Sequence, residues 1–198
     1  MRKPFAVVAT NLANGERTVF VRGNTGQAVR ASSSIPEVFE AVAIGKAHYV
    51  DGGVVSPVPV DAARELGADF VIAVDISSKA DGIASTTSML GNLNQSIRIM
   101  GQKLGAQELA RADIVIRPKV NDIGPADFAA KNRAILEGER AAQAALPQIR
   151  AKIAALQATR TAKARQAADA DATRQREAER KARCAKQQGW LDTLRRDE

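Results

Sequence analysis

Val50-Asp51-Gly52-Gly53 is the one stretch of this chain where residue type and spacing together suggest covalent chemistry. A carboxylate follows a short apolar alternation, and two glycines stand directly behind it. Glycine tolerates positive φ and admits other backbone or a ligand to close range. The chain can therefore turn sharply and leave Asp51 presented in a crevice. An aspartate placed this way can accept the proton of a nucleophilic hydroxyl with no histidine between them. Carboxylates are weak bases in water, so short contact, partial desolvation and fixed geometry have to supply the difference. Taken alone, however, Asp-Gly-Gly serves a plain turn more often than a site.

Other chemistries have few residues to draw on. One histidine, His48, and one cysteine, Cys184, give no clustered zinc set and no internal disulfide framework. No cofactor and no metal requirement follows from the residues present. His48 stands three residues before Asp51 on the same expected strand, which places the two side chains on opposite faces. It reads as a surface histidine. Asp75, at the end of an apolar run, either lines a crevice or satisfies backbone donors in a turn. Arg30, on an expected short helix, pairs with a carboxylate or faces a lipid phosphate. None of these three is assigned a site role.

The elements that have to position Asp51 come from the apolar pattern. Residues 4–11, PFAVVATN, read as a buried strand, and 17–22, RTVFVR, as its hairpin partner across Asn14-Gly15. A short helix is expected from Thr25 to Ser34, stopped by Pro36. The alternation from Val42 to Val50 folds back at Gly45-Lys46 and runs into Asp51. Another helix is expected after Pro57, with Ser56 as a possible cap and Gly67 at its end. The unbroken apolar run from Phe70 to Val74 resembles a strand covered on both faces. A Ser/Thr-rich stretch (77–88) leads into a helical segment ending near Ala110, and Asp113 to Arg117 forms a further short strand. Strands alternating with helices after the opening hairpin give an α/β class with a layered sheet. Ligands in such sheets sit at the carboxyl ends of strands.

Beyond Pro125 the composition shifts. Phe128, Ile135, Leu136 and Leu146 are expected to seat a helix against the body, with Ile149, Ile153 and Leu156 continuing the stripe. Between Leu156 and Trp190 there is no Val, Ile, Leu, Met or Phe. Of the 198 residues 38 are alanine, so the 45% hydrophobic content overstates the material for a core. Up to residue 150 there are 17 basic and 15 acidic residues, and after it 12 and 7, so most of the +7 net charge lies in the tail. This gives two regions, 1–147 and 148–198, the second a basic helical or partly disordered tail. Arg174, Arg176, Arg180, Lys181, Arg183 and Lys186, with Trp190, Leu191 and Leu194 beyond, suit either a solvated helix or peripheral contact with anionic lipid. No recognition motif or interleaved aromatic residues accompany the charge, so nucleic acid is not an expected partner. No run of 18 apolar residues is present, and the first residues do not form a secretory signal.

From Pro4 to Pro118 the sequence resembles the second half of the patatin-like phospholipase domain. The matching pieces are PFAVVATNLANGE (4–16), AVRASSSIPEVF (28–39), YVDGGVVSPVPVDAARELGAD (49–69) and FVIAVDIS (70–77). The resemblance implies the C-terminal portion of a three-layer α/β/α domain. It also implies a serine lipid acyl hydrolase, a carboxylic-ester hydrolase of phospholipase type with a Ser-Asp dyad. The dyad aspartate of the family falls on Asp51, with Gly52 and Gly53 completing its motif. The serine would attack an ester carbonyl, Asp51 would take its proton, and backbone N–H groups would hold the oxyanion.

One departure is large. The family carries its nucleophile in a G-x-S-x-G elbow upstream of these segments, and no serine here has glycine two residues before it. Ser32, Ser33 and Ser34 lie on the short helix without the strained elbow that a nucleophile needs. Glu37 and Glu40 flank Phe39 where smaller or less charged residues are expected. The chain is thus expected to be a fragment lacking the nucleophile half and inactive alone. A non-catalytic membrane-surface or interaction protein on the same scaffold is the alternative. The expected partner is a lipid ester, and the expected location cytoplasmic or peripheral to a membrane.

Overall fold

A computed structural model describes residues 3–36, 38–77, 89–124 and 127–194. The chain divides into two units, Met1–Leu146 and Pro147–Glu198. The first holds all the strands among the described residues.

Strand β1 (Val7–Asn11) pairs antiparallel with β2 (Arg17–Phe20), in register from Val7 opposite Phe20 to Thr10 opposite Arg17. Gly15, at φ 71°, closes the turn between them. Helix α1 (Thr25–Ser32) starts where the Asn24 side chain accepts the Gln27 N–H at 3.1 Å, which satisfies one of the free donors of the first turn. β3 (Val42–Ile44) and β4 (Ala47–Asp51) form a second hairpin, with Gly45 at φ 65° in its turn. β4 then pairs antiparallel with β1, giving one sheet of order β2-β1-β4-β3. Ala31 of α1 and Ala9 of β1 are fully buried in one cluster with the buried Val42. Side chains this small let the helix lie close to the sheet, and that closeness carries it over the start of the Asp51 turn.

A 3-10 turn, Gly52–Val54, follows β4 directly and leads to α2 (Val60–Glu65). Gly67, at φ 91°, stands just beyond the helix end, in the position where a left-handed residue stops a helix. β5 (Ile72–Val74) and β6 (Ile114–Ile116) form a separate parallel pair, with α3 (Met89–Leu109) in the long connection that parallel strands require. Val58, Val60, Val71, Ala73 and Leu109 make the core of this half. Met1–Leu146 is thus mixed α/β, but its strands form two sheets instead of one layered sheet.

Three expectations are corrected. The run from Phe70 to Val74 is covered on one face only: Val71 and Ala73 are buried, while Ile72 is 41% and Val74 53% exposed. An apolar run without alternation signals material for two covered faces, and among the described residues only one is covered. Helix α2 is entered from Pro59 with no side-chain cap, because Ser56 directs its hydroxyl elsewhere. Phe128, Ile135, Leu136 and Leu146 do not seat a helix, since all four are exposed.

A second 3-10 turn, Phe128–Ala130, opens α4 (Lys131–Leu194), 64 residues with Pro147 inside. In the second unit the described side chains are almost all exposed. The tail is therefore helical, as long Ala, Arg, Lys, Gln and Glu runs form helix by propensity without a packed seam. The side chains of 185–194, including Lys186, Trp190, Leu191 and Leu194, lie outside the described ones, as do residues 78–88. Among the described residues no helix is long and apolar enough to cross a membrane.

The apolar stripe on β5, extended by the exposed Ile76, is expected to drive self-association. Sedimentation velocity should show the average mass rising with concentration in the micromolar range. Lysine at both Ile72 and Val74 should suppress that rise. A single concentration-independent monomer in the unsubstituted chain contradicts this expectation.

Candidate active site

Asp51 is the last residue of β4 and is held by its backbone on both sides. Its N–H donates to the Ser34 carbonyl at 2.9 Å, and its own carbonyl accepts the buried Thr10 hydroxyl at 2.8 Å. The side chain caps the 3-10 turn: Oδ1 accepts the Gly53 N–H at 2.6 Å. The other oxygen, Oδ2, has no partner among the described residues. One oxygen therefore fixes the rotamer while the other stays open to a proton donor.

The two glycines act through space, not through handedness, since neither has positive φ. A Cβ on Gly52 would lie 2.4 Å from the Val8 carbonyl oxygen and 2.9 Å from its carbon. Backbone cannot yield at such a distance, so only glycine lets the turn press against β1. At Gly53 a Cβ would stand 3.0 Å from Asp51 Oδ1, crowding the oxygen that the Gly53 N–H holds.

Asp51 lines a cavity of 390 Å³ with Gly52, Gly53, Ser32 and Ser33. Phe5, Val7, Val8 and Val29 give it apolar wall, and Ser56, Pro57 and Pro59 close the far side. The carboxylate thus borders a crevice large enough for a small ligand. Of the three serines on or just after α1, Ser34 is buried and donates its hydroxyl to the Arg30 carbonyl at 2.8 Å. Ser32 and Ser33 reach the cavity wall, but on an ordinary helix end and not on a strained strand-to-helix elbow.

Comparison with known proteins bears on this stretch. The patatin-like phospholipase family model matches residues 3–64. Over this stretch the chain is similar to patatin-like phospholipases. An uncharacterized NTE family protein of Mycobacterium tuberculosis is 35% identical over 81 residues, covering 41% of this chain and 22% of the relative. A second such protein from the same organism is 28% identical over 166 residues, covering 72% of this chain and 28% of the relative. Mycobacterium bovis has a counterpart of each at the same identities. The chain spans 22% to 28% of the length of these curated relatives.

Every lining residue of the Asp51 cavity falls inside the patatin-like segment. The residue that braces it from outside is Glu108 on α3, a buried carboxylate that sequence reasoning missed. It accepts the Ser56 hydroxyl on Oε1 and the Val58 N–H on Oε2 at 2.9 Å. Both bonds link residues some fifty positions apart, so no local spacing announces them. Thr10, whose hydroxyl holds the Asp51 carbonyl, likewise carries no local signal beyond that of a strand residue.

The remaining candidates separate clearly. His48 is exposed on β4 and does not join Asp51. Arg30 is exposed and has no carboxylate partner among the described residues. Phe39 and Glu40 are exposed, and Glu37 lies outside the described residues. No group of three metal-ligating side chains occurs among the described residues. Asp75 follows β5 and both satisfies its turn and lines a second cavity: Oδ1 accepts the Ser77 N–H at 3.0 Å and Oδ2 accepts Arg117 Nε at 3.0 Å. Burial pushes its carboxyl up, but the hydrogen bonds from Ser77 and Arg117 together outweigh that and hold it below its ordinary value.

Two outcomes follow. Gly52→Ala should cost about 1–3 kcal/mol of stability in denaturant unfolding, the range for forcing a methyl into a filled site. Gly15→Asn, in an open left-handed turn, should cost far less. For Asp75 the folded carboxyl titrates below 3.8, its ordinary value, so the unfolded chain takes the proton first as pH falls. Its stabilisation is complete above that value and is lost as pH drops through and below it. Melting curves at decreasing pH should therefore show a steeper acid decline for the unsubstituted chain than for Asp75→Asn.

Proposed function

We propose that the patatin-like segment supplies the proton-accepting half of a Ser-Asp lipid acyl hydrolase acting on carboxylic esters of phospholipids or related lipids. On this reading the first unit represents the C-terminal portion of a three-layer α/β/α patatin-like domain, and the activity belongs to lipid degradation. Asp51 Oδ2 carries the reading: a carboxylate oxygen without a partner among the described residues, on a side chain whose other oxygen is pinned. The apolar wall of Phe5, Val7, Val8 and Val29 beside it suits an acyl chain, and the family match over residues 3–64, a range that includes Asp51-Gly52-Gly53, supports the reading.

In the proposed step a serine oxygen attacks the ester carbonyl carbon while its proton passes to Asp51. The alcohol leaves with a proton, and water then releases the fatty acid through the same aspartate acting on the acyl-enzyme. The serine has to come from a G-x-S-x-G turn, which the 198 residues do not contain. That observation favours a second reading, a scaffold of the same family working at a membrane surface or in protein contact without catalysis. Exposed Arg174, Arg176, Arg180, Lys181 and Arg183 on α4 support peripheral contact with anionic lipid under either reading. Arg174 spends part of its charge on Asp171 at 2.8 Å.

The chain alone should release no p-nitrophenol from p-nitrophenyl butyrate above an Asp51→Asn control. A chimera in which residues 3–64 replace the matching segment of the longer mycobacterial relative should hydrolyse the ester. Asp51→Asn in that chimera should lower kcat by about 10²-fold or more, the scale of a positioned general base. Equal hydrolysis with Asn at position 51 refutes the proposed role.

A further inference from the structure

A second cavity of the first unit, larger than the one beside Asp51, lies away from the aspartate that the hydrolase reading uses. Its volume is 720 Å³, within the range of small-molecule sites. Asp75 and Ser77 reach it from the segment after β5, and Arg117, Pro118 and Lys119 from the segment after β6. It therefore opens at the carboxyl ends of two parallel strands, where the chain turns away and ligands of α/β sheets bind. The α3 residues Gln102, Ala106 and Leu109 form its wall. Gly105 and Glu108, on the neighbouring strip of the same helix, face Pro57 and Ser56 on the side of the Asp51 cavity.

The charges at this opening are arranged unevenly. Asp75 pairs with Arg117, and Asp122 pairs with Arg133, so two charge pairs cancel. Lys119 is left over, with no carboxylate partner among the described residues. Arg117 touches Asp75 only through Nε, so its two terminal nitrogens keep their donors while Asp75 fixes the plane of the guanidinium. A planar fork held in place, with an exposed ammonium on the same cavity lining, matches the oxygens of a tetrahedral oxyanion.

We propose that this cavity binds the phosphate group of a small phosphate ester. Arg117 supplies directed hydrogen bonds, Lys119 supplies the uncompensated charge, and Asp75 acts as the positioning residue for Arg117. Leu109, Ala106 and Pro118 give the ester's carbon skeleton an apolar surface. The site does not depend on Asp51 acting as a base, so it stands or falls separately from the hydrolase reading. The same phosphate chemistry is presented by a free ester and by a lipid headgroup, and the test separates the two.

Isothermal titration of the full chain with glycerol 3-phosphate, at fixed ionic strength, should give saturable binding. Lys119→Glu should weaken it by about tenfold or more, since it replaces an attractive with a repulsive charge at the phosphate. Lys46→Glu, the same change in the exposed β3–β4 turn, should leave affinity within about twofold. Retention on phosphatidic acid vesicles that glycerol 3-phosphate displaces assigns the phosphate to a lipid headgroup. Saturable binding of the ester without such displaceable retention assigns it to a soluble ligand. Absence of saturable binding to either, or an equal loss in the Lys119 and Lys46 variants, overturns the proposal.

Discussion

The patatin-like segment depends on one close approach between two backbones. Gly52 passes so near the Val8 carbonyl that even a methyl group has no room. That contact lets the chain leave β4 in a 3-10 turn while still lying against β1, and it is the turn that Asp51 caps. The carboxylate is therefore oriented by backbone geometry, and its rotamer follows from the N–H of Gly53 two residues on. A side chain fixed in this way has little rotamer freedom left to lose on meeting a ligand.

Around this contact the structure provides support from both sides of the turn. On one side, α1 lies over fully buried Ala9 through Ala31, and its end presents the Ser34 carbonyl to the Asp51 N–H. On the other, Glu108 draws the 56–58 segment onto α3 through two bonds to one carboxylate. A buried carboxylate with both oxygens occupied is expensive to leave unpaired and so holds its partners firmly. The parallel pair β5–β6 and its connecting helix thus act on the site without contributing a lining residue to it.

Local patterns made much of this legible in the sequence. Both hairpins could be read because Asn14-Gly15 and Gly45-Lys46 interrupt apolar runs where a left-handed residue is needed, and Gly67 marks a helix end for the same reason. Asp51 stood out because two glycines after a strand residue are costly unless space or handedness demands them. What escaped the reading was long-range. Ser56 looked like a helix cap, but its hydroxyl is taken by Glu108 fifty-two residues away. Thr10 looked like one more strand residue, though it locks the Asp51 carbonyl. The composition of 70–74 reports how much apolar surface exists but not whether anything lies against it. The apolar residues after Pro125 have the same ambiguity, which is why Phe128 and Ile135 were expected to be covered and are not.

The pairing of β1 with β4 sets Ala9 across from Asp51 and Thr10 across from Val50. Side chains along a strand alternate, so sliding β4 by a single position would swing the carboxylate through to the sheet's far side. The tight bend at Gly45 and Lys46 fixes how β4 lies against β3, while the long-range pairing with β1 decides the face on which the acidic group emerges.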